Sequence, residues 1–86
     1  MKTWLITGCS SGFGRRLALA AAGRGDRVIA TARDVKTIEA MADPFEGRMI
    51  SLPLDVTDAA SAKAAVAKAV ETFGGFDVLV NNAGYG

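Results

Sequence analysis

The sequence contains no histidine, a single cysteine and only two prolines, and neither sign of charge predominates. Because Cys9 stands alone, an internal disulfide and a cysteine–histidine metal cluster are both excluded. This cysteine usage fits a reducing, cytoplasmic setting. A formal net charge of +1 gives no broad attraction to nucleic acid or to an anionic membrane surface. Any recognition of an anion must therefore be local.

Long apolar runs are also missing. The apolar run at residues 3–6 is too short for a signal peptide, and no stretch approaches the ~20 apolar residues that span a membrane. With 86 residues, 50% hydrophobic and 22% charged, the chain has the composition of one small globular domain with a thin core. We therefore expect a soluble protein with no nucleic-acid or membrane partner.

A glycine-rich stretch, Thr7-Gly8-Cys9-Ser10-Ser11-Gly12-Phe13-Gly14, separates this apolar run from an alanine-rich segment. Its three glycines let the backbone turn tightly and come close to a ligand. A helix that begins there would direct unpaired N–H groups at an anion. Taken alone, the stretch fits a phosphate-binding turn and an ordinary solvent-exposed turn equally well.

Apolar and β-branched runs predict four strands, at residues 3–6, 28–31, 49–54 and 76–80. Helical spacing predicts helices at residues 13–22, 35–42 and 57–73, and Asp43 to Gly47 form a turn cluster. The apolar positions expected to face the core are Phe13, Leu17, Ala20 and Ala21 in the first helix and Ala62, Val66, Val70 and Phe73 in the last. Pro53 cannot donate to a sheet ladder, so the third strand is expected at an edge.

Strands that alternate with helices imply parallel strands joined by right-handed crossovers. The predicted fold is α/β: a three-layer, Rossmann-type fold with strand order 3-2-1-4, truncated after the fourth strand, so that residues 1–86 are its first half only. In such a sheet the ligand lies beyond the carboxyl ends of the strands, at the switch point between strands one and four. The turns at Gly8 and Asn81 are expected to meet there.

Chemistry-bearing residues follow all four predicted strands, at residues 7–14, 32–34, 55–56 and 81–84. With these residues the sequence resembles the short-chain dehydrogenase/reductase family, over the whole chain. The first half of that family carries a Thr-Gly-x-x-x-Gly-x-Gly turn and an Asn-Asn-Ala-Gly turn in this order and at this separation. A methyltransferase fits less well, because it has no need of the Asn-Asn-Ala-Gly turn.

The resemblance implies a site for a nicotinamide dinucleotide. The turn around its pyrophosphate and adenosine ribose would consist of Gly8, Ser10, Ser11, Gly12, Phe13 and Gly14. Asp55 and Val56 would flank the adenine, where the carboxylate accepts from the exocyclic amine. Beside the adenosine ribose would lie Asn82, Ala83 and Gly84, while Asn81 ties strand four to its neighbours. A capped helix entry, a solvated Asp55 and a purely structural asparagine turn remain as alternatives.

The end of strand two bears on the choice of cofactor. An acid there would accept both ribose hydroxyls of NAD and repel the 2'-phosphate of NADP. Here the strand ends at Ala32, and the Arg33 guanidinium can pair with the phosphate. NADP is therefore favoured. NAD stays open because Asp34 could reach the ribose after a shift of register, and Arg33 could be an ordinary loop arginine.

The family transfers hydride between nicotinamide and a carbonyl or alcohol, using a serine and a tyrosine followed four residues later by a lysine. The only tyrosine here is Tyr85, and the chain ends at Gly86. We therefore assign no catalytic residue and expect the nucleotide-binding portion of an NADP-dependent oxidoreductase, itself inactive. The alternative is a module that self-associates without nucleotide through the apolar edge Val78, Leu79 and Val80, and a homo-oligomer is expected in either case.

Overall fold

The computed structural model describes residues 1–10 and 12–82 of the chain. This part of the chain forms a parallel sheet flanked by helices on both faces. Its elements, in chain order, are β1 (Thr3–Ile6), α1 (Gly12–Gly23), β2 (Arg27–Ala32), the 3₁₀ helices Val35–Thr37 and Glu39–Phe45, β3 (Met49–Pro53), α2 (Ala59–Phe73) and β4 (Val78–Val80). Among the described residues, no helix has both the length and the apolar character needed to cross a membrane.

The sheet has the order β3-β2-β1-β4 and every pairing in it is parallel, which confirms the predicted topology. In the centre of the sheet, Leu5 of β1 is in register with Ile29 of β2 on one side and with Leu79 of β4 on the other. Pro53 lies on β3, which is an edge strand as predicted. The carboxyl ends of all four strands therefore lie along the same edge of the sheet.

The two faces of the sheet bury different sets of side chains, because successive residues of a strand point to opposite faces. Ile6 and Val28 belong to the larger cluster, which includes α1 and both 3₁₀ helices. Leu5 and Ile29 point the other way and pack with Ala69 of α2. The larger face is thus covered by three helical elements and the smaller one by α2 alone.

The buried face of α1 is not the predicted one. Phe13 is 63% exposed and Ala20 is also exposed, whereas the buried positions are Gly14, Ala18, Ala21 and Ala22. Of the four predicted core positions only Ala21 is buried, and Leu17 is half-buried. The smallest side chains of the helix face the sheet, because they allow the two backbones to approach most closely.

In α2 the prediction is confirmed at Phe73, which is half-buried and packs against the smaller core cluster, and is wrong by one position along the helix at the two valines. Ala65 and Ala69 are buried, whereas Val66 is 41% exposed and Val70 is 53% exposed. The two valines lie one turn apart, on a flank beside the row of alanines that contacts the sheet. The predicted helix start is confirmed, because the Asp58 carboxylate accepts a hydrogen bond from the Ala60 N–H at 3.0 Å and caps α2.

The helix predicted over residues 35–42 is replaced by the two 3₁₀ helices. Tight i to i+3 bonds define the first of them: the Thr37 N–H donates to the Asp34 carbonyl at 3.1 Å and the Ile38 N–H to the Val35 carbonyl at 3.0 Å. The helical backbone is interrupted at Ile38, where φ is −123°, and the Ile38 side chain is fully buried. We infer that the burial of the Ile38 side chain against the sheet stabilises this interrupted backbone relative to a continuous α-helix. Residues 43–45, predicted as a turn, belong to the second 3₁₀ helix.

Candidate functional site

The turns that follow β1 and β4 meet at the carboxyl edge of the sheet, as predicted. The backbone N–H of Asn82 donates to Thr7 Oγ1 at 2.8 Å, and the side-chain amide of Asn82 donates to the Gly8 carbonyl at 3.2 Å. Segments more than 70 residues apart in the chain are therefore in direct contact. This contact fixes the position of the glycine-rich turn relative to β4.

Thr7 is the centre of this junction. Its N–H donates to the Val80 carbonyl at 3.0 Å, which extends the β1–β4 pairing by one residue. Its hydroxyl oxygen lies 3.2 Å from Asn81 Oδ1 and 3.4 Å from the Val80 carbonyl oxygen, so its proton has two acceptors within reach. Thr7 was not among the predicted site residues. Its position directly before Gly8 was the signal that could have identified it.

The two asparagines both hold the turns together. Asn81 lies beside Thr7, consistent with its expected role of tying strand four to its neighbours. Asn82, which was predicted beside the adenosine ribose, gives its side-chain amide to Gly8. The structural alternative for the asparagine turn thus has direct support at Asn82. The other predicted members of that segment, Ala83 and Gly84, lie outside the described residues, as does Ser11 of the first turn.

The glycine-rich turn owes its shape to two positive φ angles, 67° at Gly8 and 60° at Gly12. Between them the Cys9 N–H donates to the Thr31 carbonyl at 2.9 Å, and the Cys9 side chain is fully buried. Burial raises the pKa of the Cys9 thiol to about 11, so it stays protonated at neutral pH. Cys9 therefore fills space in the core, and Ser10 beside it is exposed.

The helix α1 begins at Gly12. Apart from its chain neighbours and the backbone of its own helix, no atom of the described residues lies within 4 Å of a Cβ built on Gly12, and the first turn of α1 contains no acidic residue. The first N–H groups of a helix have no partner within it and carry partial positive charge. Phe13, in the same turn, is largely exposed. This end of the helix has the geometry and the electrostatics to hold an anion such as a phosphate group.

Gly14 serves a different purpose from Gly12. A Cβ on Gly14 would lie 2.6 Å from the Gly8 carbonyl oxygen and 2.6 Å from Asn82 Nδ2. Both distances are far below van der Waals contact, so any larger residue would force the turn, the helix and β4 apart. Glycine at this position permits the close packing that brings the three segments together.

At the end of β2, Ala32 is buried and its carbonyl accepts from the Leu54 N–H at 2.9 Å. Arg33 follows and is exposed. The next residue, Asp34, caps the first 3₁₀ helix, because its Oδ1 accepts from the Lys36 N–H at 3.1 Å. One oxygen of the Asp34 carboxylate is thus engaged locally, while Arg33 is exposed at the carboxyl edge of the sheet.

Asp55 follows β3 and is half-buried. Its Oδ1 accepts from the Thr57 hydroxyl at 2.6 Å and from the Thr57 N–H at 2.9 Å. These two bonds, in that order, hold the pKa of the Asp55 carboxyl below its usual range, and the nearby charge of Arg33 contributes in the same direction. Val56 is exposed. Thr57 was not predicted as part of the site, although a threonine two residues after an aspartate was a visible signal.

Comparison with known proteins gives a consistent result. Residues 2–86 match the family model described as short chain dehydrogenase. Over 98% of its length the chain is 45% identical to an oxidoreductase, BOA17, of Botryotinia fuckeliana, and covers 31% of that protein. It is 41% identical, over 93% of its length, to a probable NADP-dependent dehydrogenase of Dichelobacter nodosus and covers 76% of it.

Among solved structures, a short-chain dehydrogenase from Streptomyces avermitilis superposes with a TM-score of 0.91 at 44% identity. The match includes 98% of the present chain and 32% of the Streptomyces chain. The chain thus spans about a third of the length of most of these relatives. The matched family model, the strand order and the contact between the turns after β1 and β4 agree, and the chain belongs to the short-chain dehydrogenase family.

Proposed function

We propose that this chain is the NADP(H)-binding portion of a short-chain dehydrogenase/reductase. The observation that carries the proposal is the position of Arg33, which extends from the end of β2 on the same edge of the sheet as the amino terminus of α1. The guanidinium of Arg33 suits a 2'-phosphate, and the amino terminus of α1 suits a pyrophosphate. When bound, the reduced cofactor would supply hydride to a carbonyl, and the oxidised cofactor would accept hydride from an alcohol.

The residues present fit the adenosine half of this cofactor. The described residues leave space beside Gly12 for the pyrophosphate, and the absence of an acid from the first turn of α1 removes a source of repulsion. Asp55 and Val56 would flank the adenine. The remaining proposed contacts come from the two turns, at Gly8, Ser10, Ser11, Phe13, Gly14, Asn82, Ala83 and Gly84. Asn82 would contribute mainly by positioning Gly8, because its amide is already bonded there.

Two observations support NADP over NAD. Arg33 is exposed, and within the described residues its side chain makes no hydrogen bond or ion pair, so the guanidinium is available for a phosphate. One relative is itself described as a probable NADP-dependent dehydrogenase.

Titration with two matched nucleotides tests this proposal. ADP-ribose and 2'-phospho-ADP-ribose contain the parts of the cofactor that these residues would contact and differ only in the phosphate. We expect isothermal calorimetry to show that the 2'-phosphorylated compound binds about tenfold or more tightly, because a charge-assisted hydrogen bond contributes about 1.5–3 kcal/mol. Equal affinities would refute the preference for NADP, and the absence of binding to either compound would refute nucleotide binding.

We assign no catalytic role to any residue of this chain. Ser51 Oγ donates to the Ile38 carbonyl at 3.3 Å, and Ser61 Oγ accepts from the Asp55 N–H at 2.9 Å, so both serines have structural partners. Hydride transfer is proposed for the whole enzyme, of which this chain would be the nucleotide-binding portion.

We propose in addition that the chain self-associates through β4. Leu79 is 58% exposed, and β4 is paired only with β1 in the described part of the chain. Pro53 limits pairing at the opposite edge. A second copy related by a twofold axis could pair its own β4 with this β4. The two sheets would then be continuous, and the same strand of each copy would form the interface.

Replacement of Leu79 by lysine tests self-association. We expect the unmodified chain to sediment as a dimer at concentrations of about 100 µM and Leu79→Lys to sediment as a monomer, because a charged edge strand resists pairing. Leu19→Lys is the matched control, since Leu19 is also a partly exposed leucine but lies on α1. A monomeric unmodified chain, or equal dissociation of both variants, would contradict the role of β4.

A further inference from the structure

Three hydrogen bonds of the backbone hold the loop that carries Asp55 in place. The Asp55 N–H donates to Ser61 Oγ at 2.9 Å, and its carbonyl accepts from the Asp58 N–H at 2.9 Å. The preceding residue, Leu54, donates to the Ala32 carbonyl at 2.9 Å, which ties the loop to the end of β2. The backbone of Asp55 is therefore fixed relative to Arg33, and only its side-chain torsions remain to be set.

Thr57 sets those torsions. Its hydroxyl and its N–H both donate to the same carboxylate oxygen of Asp55, Oδ1, at 2.6 and 2.9 Å. The other oxygen, Oδ2, accepts no hydrogen bond from the described residues. A carboxylate has acceptor sites on both oxygens, so this arrangement holds the group in one orientation and leaves one oxygen for an external donor.

Capping of α2 does not account for the arrangement. That helix is capped by Asp58, whose carboxylate accepts from the Ala60 N–H, and neither Asp55 nor Thr57 takes part. The Thr57 side chain is exposed, where a hydrogen bond competes with water and contributes little to stability. Its effect on the orientation of the carboxylate is direct.

We propose that Thr57 is a positioning residue that presents Oδ2 of Asp55 to the exocyclic amine of an adenine ring. This inference rests on the proposed function, because it requires a nucleotide at the carboxyl edge of the sheet. The carboxylate, ionised at neutral pH, is an acceptor only and selects a ligand with an N–H donor at this place. Adenine presents such a donor, whereas hypoxanthine presents a carbonyl oxygen at the same position and is repelled.

The test compares 2'-phospho-ADP-ribose with its hypoxanthine analogue in the unmodified chain and in Thr57→Val. We expect the unmodified chain to prefer the adenine compound about tenfold or more, and Thr57→Val, which keeps the shape but lacks the hydroxyl, to lose about threefold to tenfold of that preference. Thr57→Ser restores the hydroxyl and is expected to restore the preference. Thr72→Val, an exposed threonine on α2, is the matched control and is expected to leave the preference unchanged.

A second measurement follows the carboxyl group itself. In Thr57→Val the pKa of Asp55, measured by NMR titration, is expected to rise toward its usual value, because the largest cause of its depression is removed. An unchanged purine preference in Thr57→Val, with nucleotide still bound, overturns the positioning role alone. Failure of the unmodified chain to bind either nucleotide overturns the proposed function and this inference with it.

Discussion

Replacing Gly14 with alanine is expected to lower the free energy of unfolding by about 2 kcal/mol or more. The added Cβ would lie 2.6 Å from the Gly8 carbonyl oxygen and from Asn82 Nδ2. The asparagine side chain can rotate away, but the carbonyl oxygen belongs to the backbone of the turn and cannot move without distorting it. Alanine is also the better helix former by about 1 kcal/mol, which offsets part of the cost. Urea unfolding followed by circular dichroism measures the net change.

Gly23→Ala is the matched control for this substitution. Gly23 lies in the same helix, and outside that helix and its chain neighbours no atom of the described residues lies within 4 Å of a Cβ built on it. We expect Gly23→Ala to be neutral or to stabilise the chain by up to about 1 kcal/mol, because alanine restricts the unfolded chain. Equal midpoints of unfolding for the two variants would show that the turn, α1 and β4 are not packed as closely as described.

The second large effect is expected at the cofactor site. Arg33→Glu should weaken the binding of 2'-phospho-ADP-ribose about 100-fold or more, because it removes a charge-assisted hydrogen-bonding group and places a carboxylate where the phosphate would lie. The affinity for ADP-ribose, which lacks the 2'-phosphate, should fall by less than about threefold, because Arg33 has no phosphate to contact in that compound. A loss of affinity shared by both compounds would indicate general damage to the site. Calorimetric titration of the two compounds measures both changes.

Arg24→Glu provides a control with the same change in net charge. Arg24 is exposed and follows α1, at the end of that helix remote from the glycine-rich turn. We expect this variant to bind both compounds nearly as the unmodified chain does, since exposed charges further apart than about 10 Å are screened at ordinary salt. If Arg33→Glu kept its preference for the phosphorylated compound, Arg33 would not be the group that recognises the phosphate.

Local sequence signals were sufficient for the order of the elements and for the sheet. The alternation of apolar runs with helical spacing predicted a parallel sheet of order 3-2-1-4, and the placement of Pro53 at an edge followed from its missing N–H. The meeting of the turns at Gly8 and Asn81 followed from the same rules, since parallel strands end along one edge. The sheet topology depends on the direction of the chain through each strand, and the position of β3 at the edge depends on a proline, which fits few places in a sheet.

Side-chain orientation within the helices needed the tertiary structure. The spacing of apolar residues in α2 fits a buried row of valines as well as a buried row of alanines, and the larger residues were predicted to be inside. The structure buries Ala65 and Ala69 and leaves Val66 and Val70 partly exposed. Close approach of the helix to Leu5 and Ile29 favours the smaller side chains, and a helical periodicity by itself carries no information about that distance.

The sequence by itself determined the family, the topology and which four segments lie at the carboxyl edge of the sheet. Only the tertiary structure decided what the polar residues in those turns do. Asn82 bonds to Gly8, and Thr7 bonds to Asn82, across 74 and 75 positions in the chain. Such partners cannot be inferred from local spacing, because the hydrogen bonds form only after the strands have paired and brought the two turns together. The hydrogen bond by which Asn82 holds the glycine-rich turn in position is therefore a property of the folded chain.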